Sequence, residues 1–192
     1  MTTPLPWPPC PQRERFPLVT GFITPASDLP QPGGLDGSIF VDVTDPSENN
    51  ERIRVVETDT RWDLHVKWCI CGPFADWLRG CWCVQVFIDD IDGVGTTHGL
   101  LGSTRVDASR GVVIKPPPPN DDTSKRCFEH TFTFRAGRVT PGVYDLVVVI
   151  TLALDPCDQN PRKLADDMLG YAVIPVLVFY NEDAPFCPPP PG

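Results

Sequence analysis

No stretch of the 192 residues is apolar for long enough to cross a bilayer as a helix. Positive charge is scarce as well. The chain has 16 Lys and Arg against 25 Asp and Glu, for a formal net charge of −9. A phosphate backbone is held by clustered Lys and Arg, so neither a nucleic acid nor an anionic membrane surface is an expected partner. Histidine is limited to His65, His98 and His130, which leaves little capacity for acid–base chemistry. There is no Gly-x-Ser-x-Gly, no phosphate loop and no His-Glu-x-x-His. We therefore expect no catalytic residues and no organic cofactor. Residues 1–15 are polar and Pro-rich and lack the apolar core of a signal peptide. That predicts a cytoplasmic setting, with export as part of an assembly as the alternative.

Two residue types are abundant. Proline occurs 24 times, clustered at 4–11, 116–119 and 188–191. Such runs favour stiff, extended segments over packed structure. They divide the chain into an N-terminal arm (1–17), one folded domain (18–181) and a C-terminal tail (182–192). Both the arm and the tail read either as docking segments for a partner or as inert tails. The eight cysteines are Cys10, Cys69, Cys71, Cys81, Cys83, Cys127, Cys157 and Cys187. An even count suggests disulfides in an exported chain, and thiols or metal in a cytosolic one.

Between the arms, period-two alternation dominates, with Gly, Pro, Asn and Asp clusters as punctuation. Strands are predicted at 18–23, 38–43, 52–57, 61–70, 81–89, 100–106, 112–115, 127–135, 143–154 and 171–180. The clearest is 61–70. Trp62, Leu64, Val66, Trp68 and Ile70 share one face, and Asp63, His65, Lys67 and Cys69 share the other, wet one. Strand 143–154 is apolar on both faces and belongs at the centre of a sheet. Pro175 removes a ladder donor and pushes 171–180 toward an edge or a bulge. One helix is predicted from Asn160 to Gly170, with Pro161 in its first turn and Leu164 and Met168 four apart. The fold class is an all-β antiparallel sandwich with that one short helix.

The stretch Thr140-Pro141-Gly142-Val143-Tyr144-Asp145-Leu146 resembles the Gly-x-Tyr-x-Leu lead-in to the penultimate strand of immunoglobulin-like and fibronectin-type domains. The resemblance implies that the Tyr144 hydroxyl ties back to the preceding corner and that Trp68 is a core tryptophan. Antibody domains carry a cysteine two residues after this tyrosine, where this chain has Leu146. The resemblance therefore reaches the architecture and does not specify a function.

The densest chemistry lies in 69–83. If strands 61–70 and 81–89 form a hairpin around Asp76, Cys71 opposes Cys81 and Cys69 opposes Cys83. Four sulfurs would then gather on one face. Three readings stand: free thiols packed as small apolar groups, cross-strand disulfides, or a zinc site with all four cysteines as ligands. Between them Phe74, Trp77 and Leu78 form an apolar loop, suited either to partner contact or to capping the sandwich. Asp89-Asp90-Ile91-Asp92-Gly93 matches a calcium loop only in part and reads as a polar turn. A carboxylate pair such as Asp63 with Asp89 would suit glycoside hydrolysis if the two converged. The leading expectation is a non-catalytic interaction or structural module that binds a protein partner or a second copy of itself. The alternatives are a metal- or redox-responsive module built on the four cysteines, and a small β-sandwich enzyme or carbohydrate-binding domain.

Overall fold

The computed structural model describes residues 19–23, 36–46, 51–72, 75–91, 93, 95–114, 124–153, 157 and 164–182. The proline clusters, the N-terminal arm and residues 183–192 of the tail lie outside these residues. Among the described residues eleven strands follow in order: β1 (Val19–Ile23), β2 (Asp36–Asp45), β3 (Glu51–Arg52), β4 (Val55–Glu57), β5 (Trp62–Cys71), β6 (Cys81–Asp90), β7 (Gly99–Asp107), β8 (Val112–Ile114), β9 (Lys125–Phe134), β10 (Gly142–Ala153) and β11 (Leu164–Tyr180). They form two sheets. The first has the order β1-β11-β10-β6-β7, with β4 added in parallel to β11, and the second has the order β3-β2-β5-β9-β8.

Alternation places the core between the sheets. Trp62, Leu64, Val66, Trp68 and Ile70 of β5 are buried, as are Trp82, Val84, Val86 and Ile88 of β6 and Tyr144, Leu146, Val148 and Ile150 of β10. Aromatic rings close the gap. Trp68 of the second sheet meets Trp82 of the first at 6.2 Å, edge to face, and both pack on Phe128. Trp62 packs on Phe134 and Phe179 at the other end. Such pairs add stabilisation beyond the area they bury.

Strand β10 is central, between β11 and β6. At Pro175 the ladder slips. Tyr144 faces Leu177 and Leu146 faces Ile174, so β11 carries one extra residue. This bulge falls between the stretch of β11 paired with β1 and the stretch paired with β4, where proline costs no ladder bond on that side. Val176 takes a positive φ of 57°, a strained value for a β-branched residue. The Asp145 carboxylate accepts its N–H at 3.0 Å.

Three expectations are corrected. Residues 164–170 are strand, not helix, pairing with β10 and, at Leu169 and Gly170, with β1. The Leu164–Met168 spacing matches a helix period, but pairing with β10 at Leu164 and with both β1 and β10 from Leu169 onward draws the segment into the sheet. Strand 52–57 is broken: β3 lies in the second sheet and β4 in the first, with Ile53 and Arg54 crossing between them. Each of those two residues holds its sheet by a backbone bond, Ile53 N–H to Val43 O and Val178 N–H to Arg54 O. Most important, β5 and β6 do not form a hairpin; they lie in different sheets.

Candidate functional site

That third correction disperses the four cysteines. Cys69 sits on the outer side of the second sheet, directly opposite Cys127 of β9, and is disulfide-bonded to it with a Cα separation of 4.1 Å. Cys71 is disulfide-bonded as well. Cys81 begins β6 in the first sheet and is bonded to Cys157 in the turn after β10. Cys83 keeps a free thiol, partly exposed, opposite Arg105 and Thr151. The two Cys-x-Cys pairs therefore do not converge into a zinc site. Among the described residues no group of three or more His, Cys, Asp or Glu is placed to hold a metal ion. Asp63 and Asp89 are likewise on the outer sides of different sheets and cannot act as a pair.

The segment that would have been the hairpin loop is a crossover. Gly72 (φ 135°) and Gly80 (φ 102°) turn the chain at its two ends, and Ala75–Trp77 form a single 3-10 turn. Arg126 holds this segment in place. It alternates in phase with Phe128, Phe132 and Phe134 and, like them, is buried between the sheets. Its guanidinium donates to Leu78 O at 3.2 Å, to Ala108 O at 3.1 Å and to Asp76 O at 3.0 Å. It thus ties this 3-10 turn to the one at Ala108–Arg110. Sequence reasoning passed over Arg126, yet its phase with the phenylalanines was a legible signal. Leu78 is buried in the core rather than presented to a partner. Phe74 and the side chain of Trp77 lie outside the described residues.

The polar face of β5 is drawn out of water more than alternation implies. Asp63 and Lys67 are each only 7% exposed, because β2 and β9 flank the strand on both sides. Their charges are answered at its rim, Lys67 by Glu129 at 3.3 Å and Asp63 by Arg61 at 3.5 Å. His65 lies between two threonine hydroxyls. Its Nε2 is 3.0 Å from Thr44 Oγ1 and its Nδ1 is 2.9 Å from Thr131 Oγ1. Burial holds its pKa below the usual imidazole range, the Lys67 charge adds to this, and Asp63 and Glu129 oppose it. Burial also lowers the pKa of His130, whose ring meets Phe132 edge-on at 4.7 Å. His98 is exposed in the loop before β7. In the Asp89–Gly93 turn, the Gly93 N–H donates to Asp90 Oδ1 at 3.1 Å, as in a polar turn.

The outer faces of the two sheets differ in character. The second sheet presents Asp42, Thr44, His65, Lys67, Glu129 and Thr131. The first presents a cross-strand row of Leu100, Phe87, Val147 and Val173, with Val149 and Tyr171 beside it. Leu100 is 51% exposed and Val55, at the far end of this face, is 54% exposed. Ile91 and Val176 add exposed apolar surface at its rim. Alternation puts these side chains outward because Val86, Ile88, Leu146 and Val148 point inward.

No protein-family model matches this chain, and no curated protein matches it. Among solved structures, it is similar to the CARDB domain of the PF1109 protein from Pyrococcus furiosus. Identity is 13%, coverage is 77% of this chain and 96% of that one, and the TM-score is 0.38. It is also similar to a β-glucosidase from Listeria innocua at 12% identity and a TM-score of 0.37, covering 77% of this chain but 16% of that one. Likeness at this level carries no argument about what the chain does. The class of protein rests on its own strands: an all-β sandwich of two sheets.

Proposed function

We propose that this chain is a non-catalytic, immunoglobulin-like module that works by protein contact through the outer face of its first sheet. The observation that carries the reading is the row Leu100, Phe87, Val147 and Val173, a run of apolar side chains spanning four paired strands. Contiguous apolar surface of this kind is the usual mark of an interaction site. The immunoglobulin-like assignment is supported by Tyr144, whose hydroxyl lies 3.0 Å from the Thr140 carbonyl four residues upstream. The Cys69–Cys127 and Cys81–Cys157 disulfides support an oxidising, extracellular setting over the cytoplasmic one expected from the N-terminal residues.

The test is capture of a partner from the native host by the immobilised chain. Leu100→Glu combined with Val55→Glu is expected to abolish capture, while Arg110→Ala, in the 3-10 turn beyond β7, leaves it intact. Capture that ignores the Glu pair would overturn the reading.

A further inference from the structure

At one side of the second sheet the short strand β8 pairs with only part of β9. Strand β8 covers β9 only from Lys125 to Cys127. Beyond that point, among the described residues, β9 has β5 on one side and no strand on the other. The phase of its hydrogen bonds follows from one distance. Directly opposed residues of antiparallel strands lie about 4.5 Å apart where they do not exchange bonds and about 5.5 Å where they do. Cys69 and Cys127 are 4.1 Å apart at Cα, so they are a non-bonded pair. The N–H and C=O of Cys127 therefore point away from β5, toward Val112 of β8. By alternation, those of Glu129, Thr131 and Thr133 point the same way, past the end of β8.

This stretch contains no proline and no lysine, its register against β5 runs without a bulge, and Glu129 is its one acidic residue. The side chains of Glu129, Thr131 and Thr133 are exposed, and threonine favours strand pairing.

We propose that two copies of this chain join here, β9 to β9, antiparallel about a two-fold axis at Thr131. The outward backbone groups are evenly spaced about that residue. Thr131 would exchange both bonds with its counterpart, and Glu129 with Thr133 of the second copy, in both directions. The side chains suit the same register. Glu129 faces a threonine and not another carboxylate. On the inner side His130 meets Phe132, while Phe128 is already covered by Gly111 of its own chain. This edge is separate from the apolar face of the first sheet, so the two readings stand or fall independently.

The experiment is sedimentation velocity of the full chain over a concentration series under non-oxidising handling, with amide hydrogen exchange on the same samples. The wild type is expected to dimerise, with exchange at Glu129, Thr131 and Thr133 slowing as concentration rises. Thr131→Lys opposes two ammonium groups at the axis and is expected to give a monomer with an unchanged near-UV circular dichroism spectrum. Thr133→Lys faces Glu129 of the second copy and is expected to leave the dimer intact. A wild type that stays monomeric, a dimer that survives Thr131→Lys, or one lost in Thr133→Lys would each overturn the proposal. If Thr131→Lys does not fold, concentration-dependent protection of those three wild-type amides decides alone.

Discussion

Tyr144 is fully buried, and its hydroxyl hydrogen-bonds to Thr140 through both the carbonyl oxygen (3.0 Å) and Oγ1 (2.8 Å). Gly95 packs so closely over the ring that a Cβ there would collide with the hydroxyl. The residue therefore fixes a corner, joining the start of β10 to the loop before β7. Replacing Tyr144 with Phe keeps the ring and leaves the Thr140 carbonyl short of a partner. We expect a loss of about 1–2 kcal/mol, read as a lower urea midpoint at an unchanged slope. A midpoint equal to wild type would show that the corner does not depend on the hydroxyl. Val176 shows a different arrangement at the same scale. Its left-handed backbone is tolerated because Asp145 satisfies the N–H that the bulge removes from the ladder.

At the scale of elements, the crossover between β5 and β6 is decisive. It carries the chain from one sheet to the other, so the Trp68 and Trp82 rings meet across the core instead of side by side. Arg126 maintains it by giving partners to carbonyls that the short 3-10 turns leave unbonded. Arg126→Met keeps the apolar stem and removes every donor. We expect it to cost about 2–3 kcal/mol and to speed amide exchange across 72–80 and 108–111. Arg126→Lys should recover only part of this, because an ammonium lacks the planar fork that reaches several carbonyls at once. Full recovery by Lys would mean that charge alone, and not the fork, holds the turns.

At the scale of the whole molecule, pH acts through His65 and His130. Both have folded-state pKa values lowered by burial. As pH falls, the unfolded chain takes up these protons first, at about 6.5. The stability contributed by the neutral rings is therefore complete above that value and is lost as pH drops toward the lowered folded values. Both rings are only half-buried, so solvent screens the effect and the slope is modest. The melting temperature should decline between about pH 7 and 5. The decline should flatten when His65→Gln and His130→Phe are combined. An unaltered slope in that double variant would assign the pH dependence to other groups.

Much of this was legible in advance for physical reasons that particular residues display. Side chains on a strand alternate, so Trp62 through Ile70 and Tyr144 through Leu152 declared their inner faces, and the apolar run on both sides of β10 declared its central place. The Tyr144 corner was implied by the resemblance carried by Thr140 to Leu146, and Pro175, lacking an N–H, marked an edge or a bulge. Alternation says which way a side chain points but not which strand lies beside it. Choosing between a hairpin and a crossover at Gly72–Gly80 depends on what else competes for the edges of β5, and β2 and β9 occupy both. That choice separated Cys69 from Cys83, gave Cys69 to Cys127, and turned a supposed sulfur cluster into bonds at distant places. It also left β9, among the described residues, without a second strand neighbour beyond Cys127, and the first sheet with an apolar outer face. These are properties of how strands are ordered, which only long-range pairing decides.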